Sequence, residues 1–406
     1  MIRLTPECSP KLLEEPCVYN RATDELYVLN RQAFDFIEGC GSGRERPAGS
    51  EDAAFVDYCL EEGILEPARS ARQRGIIAGR APVPSLRYLL VHITDRCNLV
   101  CRHCFGGAAG KRELSLSRFE RLVDEFVGLQ GLRLMISGGE PLLHSQFAAI
   151  NEIVDGKDLR TVLMTNGMLL TRDVVRRLRF QEVQVSLDGM RDAHDCLRGA
   201  GAFDRAVAAL GLLADAGVQV SVATMVHSRN LDDFDALARM LAGLGVREWS
   251  IDMPSPAGRL AAGSDLLVDP AGGGPLLARS YGGAVHEPSP GYACGAHLMA
   301  VMADGGVARC GFYAAKPVGT IEDGLAACWE RIDRVRLKQL SCDCEFLEDC
   351  RGGCRFRAGG YTHAGGPDPC QCYRYGVRTG GPGKRRGKRA EFGIRPDAAT
   401  DPGGVR

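Results

Sequence analysis

Short apolar, β-branched runs alternate with segments of helical spacing through the middle of the chain. The runs Tyr88–Thr94, Leu132–Ser137, Arg160–Thr165, Glu182–Leu187, Val218–Val226 and Glu248–Met253 predict strands, and Tyr88–Thr94, apolar and β-branched over a short span, reads as a buried one. Between them, Phe119, Leu122, Val123 and Phe126 fall on one helix face, preceded by a capping box over Ser117-Arg118-Phe119-Glu120. Phe203, Val207, Leu210 and Leu213 mark a second helix, with Asp215-Ala216-Gly217 as its stop. Six such units in sequence predict an α/β fold: a parallel sheet with right-handed crossovers, open as a partial barrel because six strands fall short of closure. Ligands in such folds bind at the carboxyl ends of the strands.

The flanks differ in kind. Cys17–Asn20 and Glu25–Asn30 predict a hairpin, Gln32–Glu38 and Ala53–Gly63 helices, and Gly63–Glu66 a closing strand. Asp269–Pro290, rich in Gly, Pro and Ala, predicts a long connection. After Tyr375 the chain turns Gly/Pro-rich and basic, including Lys384–Arg389, which predicts a disordered tail.

With 406 residues the chain has room for two or three domains, and its formal net charge of −1 gives no reason to expect nucleic acid or a membrane surface as partner. No apolar stretch approaches membrane-spanning length and no export signal follows Met1. The 17 cysteines therefore point to metal or cluster ligation rather than disulfides, and to a cytoplasmic protein.

Cys97, Cys101 and Cys104 stand in C-x3-C-x2-C spacing just after the first strand. Three soft thiolates on one loop suit three irons of a cubane cluster, leaving the fourth iron open to a chelating ligand. A zinc site with a fourth ligand from elsewhere, or three unconnected thiols, is the plainer alternative. Gly138-Gly139-Glu140-Pro141 closes the second strand, offering close backbone approach and a carboxylate for an ammonium group. Further on, Cys294, Cys310, Cys328, Cys342, Cys344, Cys350, Cys354, Cys370 and Cys372 crowd the C-terminal part, where a zinc ribbon is the alternative to iron–sulfur clusters. Cys8, Cys17, Cys40 and Cys59 lack ligand spacing and read as small buried apolar residues.

The cysteine triplet followed one strand later by Gly-Gly-Glu-Pro resembles the signature of radical S-adenosylmethionine (SAM) enzymes. The resemblance implies a [4Fe-4S] cluster on Cys97, Cys101 and Cys104 that binds SAM. Gly138, Gly139 and Glu140 would then meet the SAM amino group, Ser186 the ribose and Arg198 the carboxylate, with Thr224 and Asn230 near the adenosine and His194 structural. The C-terminal cysteines resemble the SPASM extension, with two auxiliary [4Fe-4S] clusters. Cys294, Cys310 and Cys354 would hold the first, with Cys328 as a candidate fourth ligand or the site left open. Cys342, Cys344, Cys350 and Cys370 would hold the second, with Cys372 as the alternate. Cys342-Asp343-Cys344 is one residue shorter than the family's usual C-x2-C. The N-terminal order of elements resembles a small winged-helix module that recognises precursor peptides by strand addition; a stabilising cap is the alternative.

The domain reading is then a recognition module at 1–68, a linker at 69–84, the barrel at 85–265, a SPASM extension at 266–375 and a tail at 376–406. The implied activity is reductive cleavage of SAM and hydrogen abstraction from a ribosomally made peptide, forming a thioether or carbon–carbon cross-link, with an electron donor such as flavodoxin or ferredoxin. A sulfatase-type maturase acting on Cys or Ser, a tetrapyrrole maturase and a non-catalytic iron–sulfur or zinc scaffold are the alternatives.

Overall fold

The computed structural model describes residues 1–41, 43, 45, 50–68, 79–107, 109–260, 264–283 and 290–378. The expected tail from 379 onward and linker positions 69–78 lie outside the described residues. Fourteen strands are described: β1 (Ile2–Leu4), β2 (Cys8–Leu12), β3 (Pro16–Asn20), β4 (Glu25–Val28), β5 (Leu65–Pro67), β6 (Tyr88–His92), β7 (Arg133–Ser137), β8 (Arg160–Thr165), β9 (Glu182–Ser186), β10 (Gln219–Met225), β11 (Glu248–Asp252), β12 (Leu298–Val301), β13 (Gly306–Ala308) and β14 (Gly319–Thr320).

Strands β6 to β11 are the six expected, each parallel to its neighbour, in one sheet of order β11-β10-β9-β8-β7-β6-β12-β13-β14. Alternation explains how one sheet serves both as core and as container. Leu89, Val91, Leu134, Ile136, Val183 and Val185 are fully buried against Phe119, Phe126, Leu210 and Leu213 of the surrounding helices. The opposite face carries Leu90, His92, Met135, Ser137, Gln184, Ser186 and Asp252, all half-buried, and forms an open chamber.

Two local expectations are corrected. The helix Leu116–Gly128 starts before the expected capping box, so Ser117 lies inside it and Ser115 takes the N-cap position. The cause lies upstream, where the Leu114 N–H bonds Ile93 O at 2.8 Å and fixes the chain just past the carboxyl end of β6. The connection at 269–290 is not irregular throughout: Pro270–Gly273 is a short helix capped by Asp269, and Gly274–Arg279 a 3-10 helix. The C-terminal region also enters the barrel sheet, since β12 pairs in parallel with β6. It is welded to β11 by Arg357, whose guanidinium bonds Asp368 (2.8 Å) and Asp252 (2.5 Å).

The N-terminal part contains the expected hairpin and helices, with additions. β2, β3 and β4 form a three-stranded antiparallel sheet, and β1 pairs with β5. Helices Arg31–Cys40 and Ser50–Glu61 close a core in which Cys8, Cys40 and Cys59 pack with Val18, Ile37, Val56 and Ile64. Its β3–β4 turn plugs the amino end of the barrel. Arg160 donates to Arg21 O (2.7 Å) and Ala22 O (3.2 Å), Gln219 to Ala22 O (2.9 Å) and Arg247 to Thr23 O (2.6 Å). Arg133 pairs with Asp24. Lys11 meets Asp158 at 3.1 Å and Arg87 meets Glu14 at 2.7 Å. A cavity of about 220 Å³ lined by Arg160, Glu182, Gln219 and Glu248 lies in this seam, at the end of the barrel remote from the cysteine loop. Among the described residues no helix is long and apolar enough to cross a membrane.

Candidate active site

The cysteine loop leaves β6 and is held down by backbone. Gly139 N–H donates to Thr94 O (2.8 Å), Glu140 N–H to Arg96 O (2.7 Å) and Arg102 N–H to Leu197 O (2.9 Å). Here the two glycines have a reason in addition to the one expected. A Cβ on Gly138 would stand 2.4 Å from Thr94 O, and one on Gly139 would stand 2.3 Å from Arg96 O. They admit the backbone of the cysteine loop.

Glu140 is fully buried. Its carboxylate accepts from Thr165 Oγ1 (2.7 Å), Asn166 N (2.9 Å) and Leu142 N (3.3 Å). Burial outweighs these bonds and pushes its pKa up to about 7. Arg198 lies on the other side of the cysteines. Its Nε donates to Asp188 at 2.5 Å, and its charge acts on both Cys97 and Cys101. Burial opposes ionisation of Asp188, yet Arg198 holds that carboxyl well below the usual range. Ser186 stands half-buried on the chamber face at the end of β9.

Cys97, Cys101 and Cys104 lie within electrostatic reach of one another, beside Glu140 and Arg198. This arrangement fits an iron–sulfur cluster carrying the amino-acid end of SAM. Three thiols serve a cluster, a buried carboxylate without a hydrogen-bonded cation suits an ammonium, and a guanidinium suits a carboxylate.

Other expected contacts are taken up internally. Thr224 donates to Leu187 O (2.6 Å) and accepts from Trp249 Nε1 (2.8 Å). Asn230 donates to Asp188 O (2.7 Å) and Met225 O (2.9 Å) and accepts from His227 N (2.8 Å). Both are buried: Thr224 ties β10 to Leu187 and Trp249, and Asn230 ties the loop after β10 to Asp188, so their polar atoms are spent inside the fold. His194 is structural, its Nδ1 accepting the Asp188 N–H at 2.9 Å.

The C-terminal cysteines fall into two groups and two outliers. Cys294, Cys310 and Cys354 act on one another electrostatically. Cys342, Cys344 and Cys350 form the second group, and the fourth thiol among them is Cys372, not Cys370. Both cysteines sit on the helix Pro369–Arg374, where residues two apart point to opposite sides. Cys370 is buried in the barrel core, whereas Cys372 is partly exposed and faces the other thiols. Cys328 is also set apart, with its Sγ donating to Thr320 O. Among the described residues no three His, Cys, Asp or Glu side chains converge as tightly as a single metal ion requires.

Sequence reasoning missed two features. Phe105, Phe312, Tyr313 and Phe356 form one aromatic cluster, with Phe105–Phe312 centroids 4.7 Å apart and Phe312–Phe356 5.1 Å apart. Each lies within three residues of a candidate ligand (Cys104, Cys310 or Cys354), and that was the signal available. His103 lies inside the cysteine motif; burial pushes it down to about 4, and its Nδ1 has no hydrogen-bond partner.

A six-stranded open α/β barrel with a three-thiol loop, a glycine-backed carboxylate and a guanidinium at its carboxyl end defines a class of SAM-binding iron–sulfur enzyme. Residues 91–241 match the radical SAM superfamily. The chain is 30% identical over 196 residues to the AdoMet-dependent heme synthase of Nitratidesulfovibrio vulgaris (46% of this chain, 53% of that one). It is 33% identical over 184 residues to the mycofactocin maturase MftC of Mycolicibacterium smegmatis (44% and 46%). These matches span about half the length of those relatives. With MftC of Mycobacterium ulcerans the identity is 31% over 328 residues, 70% of this chain and 87% of that one. The chain belongs to the radical SAM superfamily. Its fold is shared by Streptococcus suis SuiB bound to precursor peptide SuiA (TM-score 0.65, 14% identity, 91% of this chain and 100% of that one). It is also shared by anSMEcpe with bound AdoMet and Cp18Cys peptide (TM-score 0.59, 18% identity, 71% and 94%).

Proposed function

We propose that the chain is a radical SAM maturase that modifies a ribosomally made precursor peptide. The observation that carries this reading is the juxtaposition of Cys97, Cys101 and Cys104 with Glu140 and Arg198 at the mouth of a half-open chamber. Bound there, the cluster and SAM supply one-electron chemistry that removes a hydrogen atom from an unactivated carbon. Glu140 and Arg198 orient the amino acid end of SAM. The aromatic cluster from Phe105 to Phe356 screens the chamber from water on the side of the C-terminal cysteines. The groups Cys294–Cys310–Cys354 and Cys342–Cys344–Cys350–Cys372 would hold auxiliary clusters that accept the electron released when a thioether or carbon–carbon bond forms.

Peptide as substrate is supported by the similarity to the mycofactocin maturases MftC and by the fold shared with SuiB bound to precursor peptide SuiA. A site for capturing its leader is supported by β4, which pairs only with β3 among the described strands and carries the half-exposed Val28. A flavodoxin or ferredoxin would supply the electron. The test is anaerobic reconstitution with SAM and a strong reductant. 5′-Deoxyadenosine is expected, with none from the Cys97→Ala, Cys101→Ala, Cys104→Ala triple variant; unchanged product from that variant overturns the reading. Similarity to a heme synthase favours a second reading, a tetrapyrrole substrate. Coupling of 5′-deoxyadenosine formation to an iron tetrapyrrole, and not to a precursor peptide encoded nearby, would select it.

A further inference from the structure

The group Cys294, Cys310 and Cys354 has three thiols where a four-cornered cluster has four places. Cys328 is too far into the core to be the fourth: its charged neighbours are Asp323, Arg331 and Glu125, and no other cysteine acts on it. The Tyr313 ring is already engaged, packed edge-on against Phe356 (5.5 Å) and facing the Arg309 guanidinium (6.0 Å).

His92 ends β6 on the chamber face. Its Nε2 is shut off from solvent and has no hydrogen-bond partner. That nitrogen lies against Gly311, where a Cβ would come within 3.4 Å of it. Gly311 directly follows Cys310 and opens the 3-10 turn Gly311–Tyr313, whose backbone N–H groups point back at the Cys310 thiol. Burial pushes the imidazole down to about 4, so the ring is neutral with a lone pair available. A buried imidazole nitrogen left without a partner costs free energy unless a ligand claims it. The same lone pair is a good donor to iron, and histidine replaces cysteine in some iron–sulfur centres, raising their potential.

We infer that His92 is the nitrogen ligand that completes the Cys294–Cys310–Cys354 group. The inference rests on the reading that this group holds an iron–sulfur cluster. It accounts for the orphaned Nε2 and for the missing fourth cysteine.

The test uses the full-length chain, reconstituted anaerobically, labelled with [15N]histidine, reduced with dithionite and kept free of SAM. Pulsed EPR should detect 15N coupled to a reduced cluster. The coupling should vanish in His92→Cys, which retains its iron through a thiolate, and in His92→Gln. A cluster with no 15N coupling in the parent protein overturns the assignment, and so does coupling that persists in both variants. Iron content separates this from failure of the underlying reading. The Cys294→Ala, Cys310→Ala, Cys354→Ala variant should lose about four irons per chain; unchanged iron would remove the cluster and the inference together. Uptake of an added thiolate ligand by the parent cluster, with no nitrogen signal, would show an open iron instead and overturn the role of His92.

Discussion

Glu140 shows how one residue joins stability to ligand binding. Its carboxyl is raised from an ordinary value of 4.5 to about 7, so it ionises more readily in the unfolded chain than in the fold. The stability tied to it is complete below about 4.5 and is lost as pH rises to about 7, amounting to about 3 kcal/mol. Chemical denaturation of the cluster-free protein should therefore show falling stability across that window, and Glu140→Gln should flatten the slope. If an ammonium group occupies the site, SAM binding at pH 6.5 should release a proton, detectable as a buffer-dependent heat, and the variant should release none. Gly139 gives a second prediction. Its Cβ contact would be with backbone at 2.3 Å, which no rotamer relieves. Gly139→Ala should cost about 1–3 kcal/mol and lower the iron bound to the first loop, checked by melting and iron analysis.

At the scale of elements, the helix Pro369–Arg374 decides which cysteine joins the second group. Helical geometry turns Cys370 inward and Cys372 toward Cys342, Cys344 and Cys350. Cys372→Ala should lose about four irons per chain, whereas Cys370→Ala should keep them and cost stability through a core cavity. Arg357 tests how the extension is attached. Burial works against its charge, but Asp252 and Asp368 restore it, and its side chain is only 2% exposed. Arg357→Met leaves Asp368 buried without its partner and should destabilise the protein by about 3–5 kcal/mol in denaturant titration, with the extension loosened from β11. The strands and helices behind these statements were legible because their apolar spacing is local. The helix start at Leu116 was not legible, because the chain is fixed just before it by the bond from Leu114 to Ile93, after the carboxyl end of β6.

At the scale of the molecule, the N-terminal part is wired into the barrel. An independent recognition module could be removed with SAM cleavage left intact, but the contacts argue otherwise. Arg160, with a side chain 1% exposed, takes carbonyl groups of Arg21 and Ala22 as partners, and Arg133 takes Asp24. Deleting residues 1–68 would leave these guanidiniums short of acceptors at the barrel base. The melting temperature should fall by roughly 10 °C, and SAM cleavage should fall with it. A change confined to the open edge, Val28→Lys, should spare both and weaken only peptide binding, measured by fluorescence anisotropy of a labelled precursor. Peptide binding left unchanged by Val28→Lys would argue against a docking edge at β4.

Taken alone, the amino-acid sequence determined the order of β and α units, the cysteine loop after the first strand and the carboxylate after the second. Each depends on residues close together in the chain, where side-chain periodicity and ligand spacing act directly. It also contained the nine C-terminal cysteines, but not their partition. Only the tertiary structure decided that Cys372, and not Cys370, stands with Cys342, Cys344 and Cys350, that Cys328 is core, and that Thr224 and Asn230 bond within the fold. It also brought His92, far away in sequence, against the turn after Cys310. The physical reason is the same in each case: a side chain's partner is set by the direction its element points and by what another segment brings opposite it. Neither is encoded in the spacing of its own neighbours.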